Sequence, residues 1–194
     1  IMAGGVALAT VDGTEALFDN VRVTEIVPAE YTLGDAIFED DFETGGLSQW
    51  TADGSWEVTQ DESGNSVLHP ITTGGDFQHI LASGSSAEDY SVQLRFKILD
   101  APPGGGFRSQ DPEFSINART DWDLVGCQRF QIVFESREAR IHKNGGSSCP
   151  DVMLKQVAIS PDWNVWHTAR VDAHGMTVIV YLDEKEIMRA TDNQ

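Results

Sequence analysis

The chain is short of basic residues, cysteines, apolar runs and helical periodicity, and each shortage removes a class of protein. Only 13 lysines and arginines stand against 31 aspartates and glutamates, for a formal net charge of −18. Such a surface repels phosphate backbones, so nucleic acid is not an expected partner. It suits a well-solvated exterior, or carboxylates gathered around calcium, which takes hard oxygen ligands. No stretch approaches the roughly 18 apolar residues of a membrane-spanning helix. No leader-like segment opens the sequence and residue 1 is Ile. The chain is therefore expected to be a mature or excised piece, or one repeat of something longer.

Catalytic signatures are missing too. There is no E-x-D-x-x-E run, which would place two carboxyls on one side of a strand; Glu57–Glu62 (EVTQDE) does not match it. Neither a G-x-S-x-G nucleophile turn nor an H-E-x-x-H zinc helix is present. His69, His79, His142, His167 and His174 are scattered. The chain is not expected to be an enzyme. Two cysteines without a second pair do not form a zinc site.

What is present is glycine, 18 in 194 residues, and many short alternating segments separated by Gly, Asp, Asn and Ser. That pattern predicts an all-β, two-sheet antiparallel sandwich. Tyr90–Ile98 is its clearest strand: Val92, Leu94, Phe96 and Ile98 alternate with Ser91, Gln93, Arg95 and Lys97. Strands are also expected over 66–69, 77–81, 114–118, 130–134, 139–142, 153–159, 166–171 and 177–182. Trp50 and Trp56 are expected to pack between the sheets. The APPGGGFRSQDP stretch (101–112) is a loop; no helix or lysine follows its glycines, so it is not a phosphate cradle.

The two ends of the chain read as parts of one unit. Val6, Leu8 and Val11 precede Asp12-Gly13, a tight-turn signal, and Leu17–Val23 follows as a second strand. The C-terminus stops after Ile187–Ala190 begins a returning strand. The reading is therefore three segments. Residues 1–27 form a closing hairpin carrying Val6, Leu8, Leu17, Phe18, Val21 and Val23. Residues 28–36 form an extended linker within the connector TEIVPAEYTLGDA (24–36). Residues 37–194 form a sandwich body lacking its last strands.

FEDDFETGGLSQW (38–50), SWEV at Trp56, WHTARV (166–171), TVIVYLDEKEI and ALFDNVRV together resemble laminin-G-like or concanavalin A-like jelly-roll domains, including their 3-keto-disaccharide hydrolase-like branch. The resemblance covers about 37–194 plus 1–27, with the closing strands first. It implies a jelly roll, and it implies a glycan site where a loop follows an arginine-bearing strand. Arg119, Asp121 and Trp122 in ARTDWDLVGC fit that place. An indole takes a sugar's apolar face while polar groups meet its hydroxyls. The same residues also read as an ordinary polar loop.

Two further sites are expected. If the closing strand lies beside the opening strand, Asp19 comes near Asp40 and Asp41, and a calcium ion would offset their repulsion. Cys127 and Cys149 flank one hairpin, so they are either a disulfide contributing about 3 kcal/mol or two independent thiols.

The leading functional expectation is an extracellular or cell-surface structural protein. Its hairpin 1–27 would fill the next copy, giving a homopolymeric filament. The alternative is a glycan-binding module of a larger secreted protein. A third reading is a fragment of a sugar hydrolase.

Overall fold

The computed structural model describes residues 3–10, 14–27, 32–71, 78–99, 113–120, 129–135, 137–144, 151–162 and 164–192. All regular structure among them is strand. In chain order the strands are β1 (Gly5–Thr10), β2 (Ala16–Val27), β3 (Thr32–Asp40), β4 (Trp50–Asp53) and β5 (Trp56–Gln60). There follow β6 (Ser66–Pro70), β7 (Gln78–Ala82), β8 (Tyr90–Ile98), β9 (Glu113–Thr120) and β10 (Arg129–Glu135). The last five are β11 (Glu138–Asn144), β12 (Val152–Ala158), β13 (His167–His174), β14 (Thr177–Leu182) and β15 (Lys185–Thr191). No helix is long and apolar enough to cross a membrane.

The strands form two antiparallel sheets. The first runs β12-β11-β10-β9-β1-β7-β4 and the second β15-β14-β13-β8-β2-β6-β5, with β3 paired to β2. Their inner faces close on one apolar layer. Phe114 of the first sheet lies 5.3 Å from Phe18 and 4.5 Å from Phe96 of the second, and stacks on Phe134 at 5.0 Å. Such ring pairs add stability beyond their buried area. Trp50 and Trp56 are each 8% exposed and pack as expected; the Trp50 indole donates to Asp40 at 2.7 Å.

Residues 1–27 do not form a hairpin. β1 lies between β7 and β9 in the first sheet, whereas β2 lies beside β8 in the second. The Asp12-Gly13 turn lies outside the described residues. A tight turn would have paired β1 with β2, but the apolar faces of both strands are fully buried. Val6 and Leu8 fill one sheet and Phe18, Val21 and Val23 the other. Each strand thus takes an internal place in a different sheet of its own chain. The filament reading loses its structural support here.

Residues 32–36 of the expected linker belong to a strand, and 28–31 lie outside the described residues. Thr32–Asp40 pairs with β2, matching Ile26 to Leu33 and Val23 to Phe38. Pro28 and the sparse apolar alternation suggested a link. Pairing along β2 orders the segment despite its four exposed leading residues.

The N-terminal strand is stitched in by polar contacts. The buried Tyr90 hydroxyl donates to the Gly5 carbonyl at 3.2 Å and accepts from the Arg119 backbone N–H at 2.5 Å. Burial holds this phenol well above its ordinary pKa. Gly4 passes so close to β9 that a Cβ there would meet the Arg119 backbone at 2.5 Å.

Candidate functional site

The second sheet turns a polar face outward. Strand alternation puts Val92, Leu94 and Phe96 inside, so Gln93, Arg95 and Lys97 point out. On β2 a register shift between Asp19 and Arg22 inserts an extra residue, and Asn20 takes φ 50° there. A bulge of this kind re-aims side chains. Here it turns Asp19 and Arg22 to the same outer face as Arg95.

A groove of about 650 Å³ opens where the bulge, the end of β3, β8 and β13 meet. Arg22, Arg95, Glu39 and Asp41 line it, while Asn20, Gln49, Gln93, Thr44 and Thr168 supply amides and hydroxyls. Arg22 and Glu39 pair at 2.8 Å with both side chains more than half exposed, so this pair contributes little to stability and is open to a ligand.

Arg95 is held from two sides. Its Nη1 meets Asp19 Oδ2 at 3.1 Å, and its guanidinium carbon lies 4.7 Å from the centre of the half-buried Trp166 ring. The Trp166 indole is also near Asp61 and adds slightly to the lowering of that carboxyl's pKa. Asp61 accepts the Asn65 backbone N–H at 3.0 Å, and the Asn65 amide donates to Asp19 at 3.1 Å. The contacts run as a chain: Asp61, Asn65, Asp19, Arg95, Trp166. Burial raises the pKa of Asp19 against the opposing pull of Asn20, Asn65 and Arg95. Asp61 is lowered, chiefly by the Ser63 hydroxyl.

Of the residues expected to bind ligand, Arg119 alone is described. Arg119 is internal, its side chain 2% exposed. Its Nε and Nη2 donate to the Glu88 carbonyl at 3.1 and 2.9 Å, and desolvation lowers its pKa. It serves as a tie between β9 and the segment before β8. Asp121, Trp122, Cys127 and Cys149 lie outside the described residues.

The three expected calcium ligands do come from adjoining strands, since Val21 of β2 pairs with Asp40 of β3. They do not converge. Asp40 accepts from the Phe42 backbone and the Trp50 indole, Asp41 from the Glu43 backbone, and Asp19 from Arg95. No group of three or more potential ligands fits a metal ion among the described residues. Asp19, Asp40 and Asp41 do not form such a group.

Sequence reasoning passed over Arg95 and Trp166. The available signal was an arginine midway along the wet face of the clearest strand, and a tryptophan immediately before β13.

The sandwich is a two-sheet antiparallel jelly roll. Its fold is similar to that of the carbohydrate binding module CBM66 from Bacillus subtilis, with a TM-score of 0.55 and 19% identity, over 75% of this chain and 81% of that one. Residues 37–194 match the 3-keto-alpha-glucoside-1,2-lyase-like domain, and the chain belongs to that family. The match begins within β3 and leaves out β1 and β2, although each completes a sheet. No curated protein matches the chain significantly.

Proposed function

We propose that the protein is a glycan-binding module whose site is the groove beside Arg95 and Trp166. The observation that carries this reading is the groove itself. Cations, carboxylates, amides and hydroxyls line it, and the Trp166 indole packs on Arg95, one of the lining residues. A sugar ring needs that mixture, because its C–H face is apolar and its hydroxyls both donate and accept. The family and the fold of the CBM66 module favour the same ligand class. With 31 acidic residues against 13 basic ones, the reading is of uncharged glycans in an extracellular setting.

The proposal is of binding without turnover. Asp40, the most buried carboxylate lining the groove, is already held by Phe42 and Trp50. Affinity electrophoresis against starch, xylan, mannan, inulin and mixed-linkage glucan tests it. At least one is expected to retard the protein, and Arg95→Ala and Trp166→Ala are each expected to weaken that binding about tenfold or more, Trp166→Ala with little change in melting temperature and Arg95→Ala with some loss, since it leaves the buried Asp19 carboxylate without its cation. Retardation by none, or by wild type and both variants alike, sinks the groove reading. Release of product from a 3-keto-α-glucoside would replace binding with lyase activity.

A further inference from the structure

The Arg95 groove lies at one end of a longer polar row. Glu39 of β3 pairs with Arg22 of β2, Arg22 with Gln93 of β8, Gln93 with Arg170 of β13, and Arg170 with Tyr181 of β14. The first three line the groove, and the last two carry the row beyond it. Val92, Leu94, Ala169, Val171, Val178 and Val180 belong to the core, so Gln93, Arg170 and Tyr181 between them point outward. The row is accessible along its length. The Arg22 and Glu39 side chains are 55% and 56% exposed and that of Arg170 33%, while Gln93 is exposed and Tyr181 partly so.

Paired strands lie about 4.8 Å apart, so the row measures about 19 Å from Glu39 to Tyr181. One strand spacing is close to the length of one sugar unit in an extended glycan. The far end is built like the near one. The Arg170 guanidinium carbon lies 3.8 Å from the centre of the Tyr181 ring, as that of Arg95 lies 4.7 Å from Trp166. An aromatic ring under each planar fork holds it in place, so less freedom is lost when the fork meets a ligand. Each cation also has a carboxylate beside it: Glu39 for Arg22, Asp19 for Arg95, and Asp172 at 3.3 Å for Arg170. The face therefore offers donors and acceptors together with little net positive field, which suits hydroxyl groups and not a phosphate, sulfate or carboxylate.

We propose that the glycan site is a linear track crossing β3, β2, β8, β13 and β14, with the Arg95 groove at one end and Arg170 over Tyr181 at the other. Its ligand is an unbranched, uncharged oligosaccharide laid across the strands, about four sugar units long at one unit per strand spacing. The inference rests on the reading of the groove as a glycan site and adds the length and direction of what it holds.

Calorimetric titration of the full chain with the di- and pentasaccharide derived from each of starch, xylan, mannan, inulin and mixed-linkage glucan tests it. At least one pentasaccharide is expected to bind about tenfold or more tighter than its disaccharide, from the hydrogen bonds added along the row. Arg170→Lys keeps a cation beside Asp172 but loses the fork, and Tyr181→Leu removes the ring beneath it. Each is expected to weaken the pentasaccharide about fivefold, the scale of one hydrogen bond, and to leave the disaccharide unchanged. The two variants are independent, so poor folding of one leaves the other to decide. Equal binding of both lengths, or a length advantage that survives in a folded variant, overturns the track and leaves the groove standing. Binding of no oligosaccharide by the wild type overturns both.

Discussion

Arg95 Nη1 lies 3.1 Å from Asp19 Oδ2, and the carboxylate is 1% exposed while the arginine is 41% exposed. The buried partner thus anchors the exposed one. Asp19 has no surface to offer a ligand, yet it decides where the guanidinium stands in the groove.

Asp19→Asn is therefore expected to weaken glycan binding roughly tenfold near neutral pH, the scale of one charge-assisted hydrogen bond. Its effect on stability runs differently with pH. Because burial raises the carboxyl's pKa in the folded chain, this group's contribution is fullest below its unfolded value and is lost as pH rises through the folded one. Asparagine does not titrate. Urea unfolding should show wild type gaining on the variant between about pH 7 and about pH 3. A difference independent of pH would refute the assignment.

The Tyr90 hydroxyl joins β1 to β9 through Gly5 and Arg119. Tyr90→Phe leaves a buried carbonyl and N–H unmatched, at a cost of about 1–3 kcal/mol. Gly4→Ala should also destabilise, since backbone meets its new methyl. Thermal unfolding checks both, and unchanged melting of either variant counts against the stitch.

Because β1 and β2 each fill a place in their own chain, the 194-residue chain is expected to elute as a monomer in native size-exclusion chromatography. Removing residues 1–27 should yield insoluble or unfolded protein, since a strand would be missing from each sheet. Ladders of higher species from the intact chain would revive exchange between copies.

Calcium is expected to leave the melting temperature unchanged, as is EDTA. Asp19, Asp40 and Asp41 each have partners already. A clear rise with millimolar calcium would show a site these contacts do not foresee.

Strand existence was legible in the sequence because alternation is local. Val92, Leu94, Phe96 and Ile98 announce β8 without any neighbour, and the laminin-G-like order of FEDDF, WHTARV and FDNVRV announced the jelly roll. The adjacency of β2 and β3 was legible in the same way. Partner choice was not. Asp12-Gly13 is a local turn signal, but two buried strands went to separate sheets because each had a vacant apolar slot to fill. Residues 32–36 carried no strand signal, yet hydrogen bonding to β2 ordered them. The expected role of Arg119 was not legible for a related reason: an arginine before a polar loop reads alike whether it reaches solvent or bonds inward. Arg119 turned inward to the Glu88 carbonyl.

The sequence alone determined an acidic, all-β sandwich and the identity of most of its strands, since side-chain period and turn chemistry act over a few residues. Tertiary structure alone decided that the N-terminal strands complete their own sheets, and that Asp19, Asn65, Arg95 and Trp166 meet. Those four lie on separate parts of the chain, and only pairing in the sheet and the loop after β5 bring their side chains within hydrogen-bonding and stacking distance.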